Sequence, residues 1–146
     1  MIKLYLDNCC YNRPFDDLSQ EKISLEASAI EFILREHLKN ELKIYKSLAI
    51  DFEISKIKDG NKKKQVENLY DSLNLLNVEY TNEIRKRAVD LRQYNIKDMD
   101  ALHIAFAESA KVDYMITTDR ILINASKRVE LTTKLLNPVN FVMEVM

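Results

Sequence analysis

Apolar residues recur along the chain in short runs separated by longer stretches with a three- to four-residue repeat, and this rhythm predicts the order of elements. Ile2, Leu4, Tyr5 and Leu6 read as a short buried strand that runs straight into Asp7. A polar turn follows in Asn12, Arg13, Pro14, Asp16 and Asp17. From Gln20 to Lys39, the residues Ile23, Ala27, Ile30, Leu34 and Leu38 fall on one stripe. That stripe predicts an amphipathic helix whose intervening Glu26, Glu31 and Glu36 face solvent. Ile44, Tyr45, Leu48, Ala49 and Ile50 predict a buried strand leading into a helix that carries Asp51, Glu53 and Lys56. Gly60 and Asn61 break that helix, and Val66, Leu69, Tyr70 and Leu73 mark the next.

The same rhythm continues to the end. Leu75 to Tyr80 predicts a short strand, and Ile84, Ala88, Leu91 and Tyr94 another helix. Asp98 is placed to N-cap a helix from Met99 to Ala110, apolar nearly all round and therefore buried. Tyr114 to Thr117 is a compact strand ending at Thr118 and Asp119, and Ile121 to Ser126 a short helix. Leu135 to Val142 offers a last strand, interrupted at Pro138, which an edge position tolerates best. Helices between short apolar strands imply right-handed crossovers, hence an α/β fold: a three-layer α/β/α sandwich around a mainly parallel sheet. No linker, repeat or low-complexity segment divides residues 1–146, which are expected to form a single domain.

Composition narrows the chemistry. An apolar share of 47% with 31% charged residues is that of a globular protein, and a net charge of −1 gives no global pull toward nucleic acid while allowing local patches. No apolar run is long enough to span a membrane, and the first residues lack the pattern of a secretion signal, so a cytoplasmic location is expected. Cys9 and Cys10 are the only cysteines and are adjacent, which offers neither a disulfide framework nor a zinc site. Gly60 is the only glycine, which excludes the glycine-rich loops that cradle phosphate. Phosphate chemistry on this chain would need another device, and a metal held by carboxylates supplies one.

Functional groups of parallel α/β sheets gather beyond the carboxyl ends of the strands. Asp7 and Asp119 each follow a predicted strand, Asp100 opens the buried helix, and Glu53 lies near the start of the helix after the second strand. Four carboxylates at one place repel one another and lose solvation. A hard divalent cation, Mg²⁺ or Mn²⁺, would compensate, and a metal-bound water is a route to phosphodiester hydrolysis.

LYLDN near the amino terminus, DFE mid-chain, DALHIAFA before the strand and ITTDR after it, with NPVNFV near the end, resemble in that order the PIN-domain nucleases. The resemblance implies a PIN-like α/β/α fold, an Mg²⁺- or Mn²⁺-dependent endoribonuclease activity, RNA as substrate, and catalytic acids at Asp7, Glu53, Asp100 and Asp119. The metal would fall to Asp7, Asp100 and Asp119, while Thr118 and Asn8 would position water. Many small relatives are toxins of toxin–antitoxin pairs, which implies an antitoxin protein as partner, and homodimers are a common family arrangement. Two positions depart from the family pattern: Ile121 stands where a further acid is frequent, which weakens the case for a second tightly held ion, and Asn8 replaces a hydroxyl residue.

Each residue also has a plainer reading. Asp100 would be favourable at any helix amino terminus. Asp51 competes with Glu53, since one helical face cannot aim both at one point, and Glu53 is the choice. His103, on an apolar helix, reads as a packed structural side chain. Lys62, Lys63 and Lys64 read as a solvated patch, and Arg13 and Arg120, close to site acids, as the better phosphate-binding candidates. Two other functions compete. A phosphatase of the haloacid dehalogenase kind needs a second Asp two residues after the first, where this chain has Cys9. A catalytically inactive PIN-like module binding RNA or protein would have no need for the acid quartet.

Overall fold

The computed structural model describes residues 1–146. The strands are β1 (Ile2–Leu6), β2 (Leu42–Lys46), β3 (Leu76–Asn77), β4 (Tyr114–Ile116) and β5 (Lys134–Leu136). Around them run α1 (Asn8–Asn12), α2 (Glu21–Leu38), α3 (Leu48–Ser55), α4 (Gly60–Ser72), α5 (Asn82–Leu91), α6 (Asp98–Ser109), α7 (Arg120–Ser126) and α8 (Pro138–Glu144). All strand pairings are parallel, in the order β3-β2-β1-β4-β5. The chain thus steps outward from β1 through β2 to β3, then returns to the other side of β1 for β4 and β5. Right-handed crossovers in opposite directions put the connecting helices on opposite faces, which makes the α/β/α sandwich.

Leu4, Tyr5, Leu6, Ile44, Met115 and Ile116 from the three central strands belong to one cluster of 33 buried apolar residues. Full burial of a side chain of the leucine or isoleucine class stabilises by about 1.5–3 kcal/mol, so the centre of the sheet is a stiff platform for whatever its ends carry. With one glycine in the chain, left-handed exits from helical segments fall to Asn40, Asn74, Asn95 and Lys111, at φ of 61°, 50°, 66° and 56°. Asparagine tolerates that region better than other residues with a side chain.

Four local expectations are corrected. The final strand ends at Leu136; Asn137 caps α8 through its side chain on the Val139 amide (2.8 Å), and Pro138, at the first helical position, opens a helix instead of interrupting a strand. Asp98 is the first residue of α6, with Lys97 at the cap position, and its carboxylate pairs with Arg92 at 2.7 Å. The helix bearing Glu53 already ends at Ser55, and Gly60 begins α4, capped by Asp59, whose carboxylate accepts from the Asn61 and Lys62 amides. Glu26 is buried at 2% exposure, because Arg13 Nε lies 3.3 Å from Oε1 and Asn137 Nδ2 donates to Oε2 at 2.6 Å.

Candidate metal centre

Between β1 and β4 the strand order reverses, and the carboxyl ends of these two strands open the crevice where ligands of α/β sheets bind. Asp7 stands at the end of β1. Its backbone N–H donates to Ile116 O (2.9 Å), so the residue is held by the sheet ladder, and its side chain caps α1 by accepting from the Asn8 amide at 2.7 Å. The other carboxylate oxygen accepts from Thr117 Oγ1 at 2.9 Å. Thr117 is fully buried just past β4, and the same hydroxyl accepts from the Asp119 amide at 3.1 Å. Asp119 caps α7 by accepting from the amides of Ile121 and Leu122.

The other two acids come from helices. Glu53, on α3, meets Nε2 of His103, on α6. His103 Nε2 is also 3.8 Å from Asp7 Oδ1, and one ligand-type atom from each of Asp7, Glu53 and His103 lies within 4.8 Å of the other two. Asp100 is one helical turn before His103. Burial, then the negative charges of Asp7 and Asp119, push its carboxyl up to about 6, with Glu53 adding to the rise and His103 opposing it. His103 itself is raised: burial lowers it, and the hydrogen bond to Glu53 with the charges of Asp7, Glu53 and Asp100 outweighs that effect.

Asp51 turns elsewhere. It accepts from Tyr70 Oη at 2.7 Å and pairs with Lys46 at 3.3 Å. Of the remaining candidates, Asn8 Oδ1 accepts from Asn12 Nδ2 within α1, and Thr118 Oγ1 accepts from Arg13 Nη2 at 2.9 Å. The hydroxyl in contact with the acids is therefore that of Thr117. Arg13 spends its guanidinium on Thr118, Asp16 and Glu26, a cross-link between β4's end and α2. Arg120 is exposed and lines a groove of about 680 Å³ together with Thr118, Lys22, Lys127 and Lys134. Lys62 pairs with Asp16.

His103 and Thr117 were missing from the expected site. The sequence held a signal for each: His103 lies one turn after Asp100 on the same helix, and Thr117 directly precedes the Thr118–Asp119 pair.

The donor set suits a hard divalent cation. Carboxylate oxygens of Asp7 and Glu53 approach one another beside His103, and Asp100, raised first by burial and then by the charges of Asp7 and Asp119, lies within their electrostatic reach. Acids gathered at the switch point of a parallel α/β/α sheet place the chain among the α/β folds that carry their functional groups at the strand ends. The family model for the PIN domain matches residues 19–128, three quarters of the chain, and the protein belongs to that family. Glu53, Asp100 and Asp119 lie inside the matched span and Asp7 precedes it. No curated protein sequence matches the chain. The family is one of generally metal-dependent nucleases, and no helix here is long and apolar enough to cross a membrane.

Proposed function

We propose that this protein is an endoribonuclease that hydrolyses RNA phosphodiester bonds with Mg²⁺ or Mn²⁺ held by Asp7, Asp100 and Asp119. The reading is supported by the approach of Asp7, Glu53 and His103 to within 4.8 Å of one another at the sheet's switch point, and by Asp100, whose carboxyl is raised by burial and then by the charges of Asp7 and Asp119. When bound, the ion would lower the pKa of a coordinated water and neutralise charge on the phosphate.

The chain's own residues do the rest. Thr117 fixes the Asp7 carboxylate and the start of α7 together, so the two strand-end acids keep their separation. Glu53, with one oxygen on His103, has its second oxygen free to accept a proton or orient water. Asn8 and Thr118, next in sequence to Asp7 and Asp119, are assigned as further water-positioning groups, and Arg120, with the lysines of the adjoining groove, is assigned to the RNA backbone. Arg13 acts through the structure, holding Thr118 and Glu26. We assign residues 1–146 to one domain acting in the cytoplasm, as the toxin of a toxin–antitoxin pair; a small antitoxin encoded beside it would support that role, and a homodimer is the expected assembly.

The test is cleavage of a mixed RNA pool by wild type, Asp7→Asn and Asp119→Asn in Mn²⁺, Mg²⁺ or chelator. Cutting by wild type with metal, and its loss on chelation or in either variant while circular dichroism stays unchanged, is the expected result. RNA retention without cutting under every condition would instead mark a binding module.

A further inference from the structure

Behind Glu53 lies a chain of buried hydrogen bonds that the acid cluster itself does not require. Ser47 N-caps α3: its Oγ accepts from the Ala49 amide at 3.2 Å. Ser47 Oγ and Tyr5 Oη are 2.6 Å apart, Tyr5 Oη and His103 Nδ1 are 2.7 Å apart, and His103 Nε2 meets Glu53. Tyr5, Ser47 and His103 are each fully buried, on β1, at the end of β2 and on α6. The chain of bonds starts at the N-terminus of α3 and returns to Glu53 on that same helix.

Donor bookkeeping leaves little freedom. With neutral His103, Ser47 donates to Tyr5, Tyr5 donates to Nδ1, and the ring proton sits on Nε2. With charged His103, Nδ1–H donates to Tyr5, Tyr5 donates to Ser47, and Nε2 again carries a proton. In both of these states Nε2–H donates to Glu53; the other neutral tautomer, with its proton on Nδ1, would aim an Nε2 lone pair at Glu53 and is disfavoured beside an ionised carboxylate, so the imidazole is directed to this acid. Asp51, two residues away on α3, is drawn off by Tyr70 and Lys46.

We infer that His103, braced by Tyr5 and Ser47, is a positioning residue that holds Glu53 against the Asp7–Asp100–Asp119 group and thereby tunes its affinity for a divalent cation. The inference rests on the metal-site reading above for its consequence, and on hydrogen-bond geometry alone for its first step. Side chains that orient the groups of a metal site are worth roughly 10–100-fold in affinity.

Two measurements test it. In metal-free protein labelled with ¹⁵N-histidine, with His37→Gln separating the two rings, His103 should show a slowly exchanging Nε2–H resonance that Glu53→Ala abolishes and Tyr5→Phe shifts. In Mn²⁺ titration calorimetry, His103→Leu and Glu53→Ala should each weaken binding by roughly 10–100-fold. The double variant should be no weaker than either single one, and His103→Gln, whose amide can still donate to Glu53, should recover most of the loss. A protonless Nε2 in the wild type, a resonance indifferent to Glu53→Ala, or additive losses in the double variant would overturn the assignment. Absence of RNA cleavage by a wild type that shows the resonance and the Mn²⁺ cycle would overturn the nuclease reading and leave this one standing. Melting curves identify any variant that fails to fold, and Tyr5→Phe and Glu53→Ala carry the resonance test without altering His103.

Discussion

Thr117 donates its hydroxyl to Asp7 across 2.9 Å while accepting the Asp119 amide, and so couples two acids 112 positions apart in the chain through one buried oxygen. Thr117→Val keeps the shape and removes both bonds. A buried carboxylate oxygen that loses its donor costs about 1–3 kcal/mol. The expected outcome is a fall of that size in stability by urea unfolding, together with weaker Mn²⁺ binding, whereas Thr117→Ser should retain both properties. Equal metal affinity in Thr117→Val and wild type would show that Asp7 needs no such support.

Asp100 gives the metal-free protein a pH dependence of known sign. Its carboxyl is raised from 3.8 to about 6, so the folded state holds this proton more tightly than the unfolded chain does. The resulting stability is fully present below about pH 4 and is lost as pH rises through about 6. Partial exposure screens the interaction, and the loss should come to roughly 1–2 kcal/mol. In chelator, Asp100→Asn should melt above wild type at pH 7.5 and close to it at pH 4. Saturating Mn²⁺ should reverse the order at pH 7.5, since only the intact acid cluster gains from binding. Parallel melting curves for the two proteins across that range would refute the acid-crowding account.

The elements of this fold were legible in the sequence where the apolar period was long and unopposed, as in α2 and α6. Strand-end positions follow from the parallel topology alone, which is why the sequence by itself pairs Asp7 with Asp119. What escaped was decided by tertiary partners. Glu26 reads as solvent-facing until Arg13 and Asn137, from opposite ends of the chain, are brought onto it. NPVNFV looks like a strand by its apolar residues, yet Asn before Pro is also a cap followed by a first helical residue, and that local chemistry prevails. His103 reads as core because it is core; only the positions of Tyr5 and Glu53 reveal the polar chain through it.

The burial of Glu26 has a consequence for folding. Removing one member of a buried ion pair leaves the other charge uncompensated, at about 3–5 kcal/mol, and Arg13 keeps Asp16 as a second partner, which places Glu26→Ala toward the lower figure. Glu26→Gln, able to accept from Asn137 with its amide oxygen, should lose less than half as much. Thermal and urea unfolding would read the difference. Equal stability of Glu26→Ala and wild type would contradict the buried contact.

The groove beside Thr118 makes the last prediction. Lys22, Arg120, Lys127 and Lys134 line it, and none of the four pairs with a carboxylate. Of its two acids, Glu26 is occupied by Arg13 and Asn137, which leaves Glu144 as the only free negative charge against four positive ones. Unpaired cations along a groove next to the proposed RNA-cleaving centre would attract a phosphate backbone, and each phosphate neutralised on a single strand contributes about 0.7 to the slope of log affinity against log salt. Lys127→Glu combined with Lys134→Glu should therefore reduce that slope by more than one and raise KM more than it lowers kcat. Mn²⁺ affinity, which the proposed site assigns to the acids away from this groove, should stay near that of wild type. Filter binding of single-stranded RNA to the metal-free protein between low and moderate salt measures the slope directly, and an unchanged slope would place the RNA on another face of the molecule.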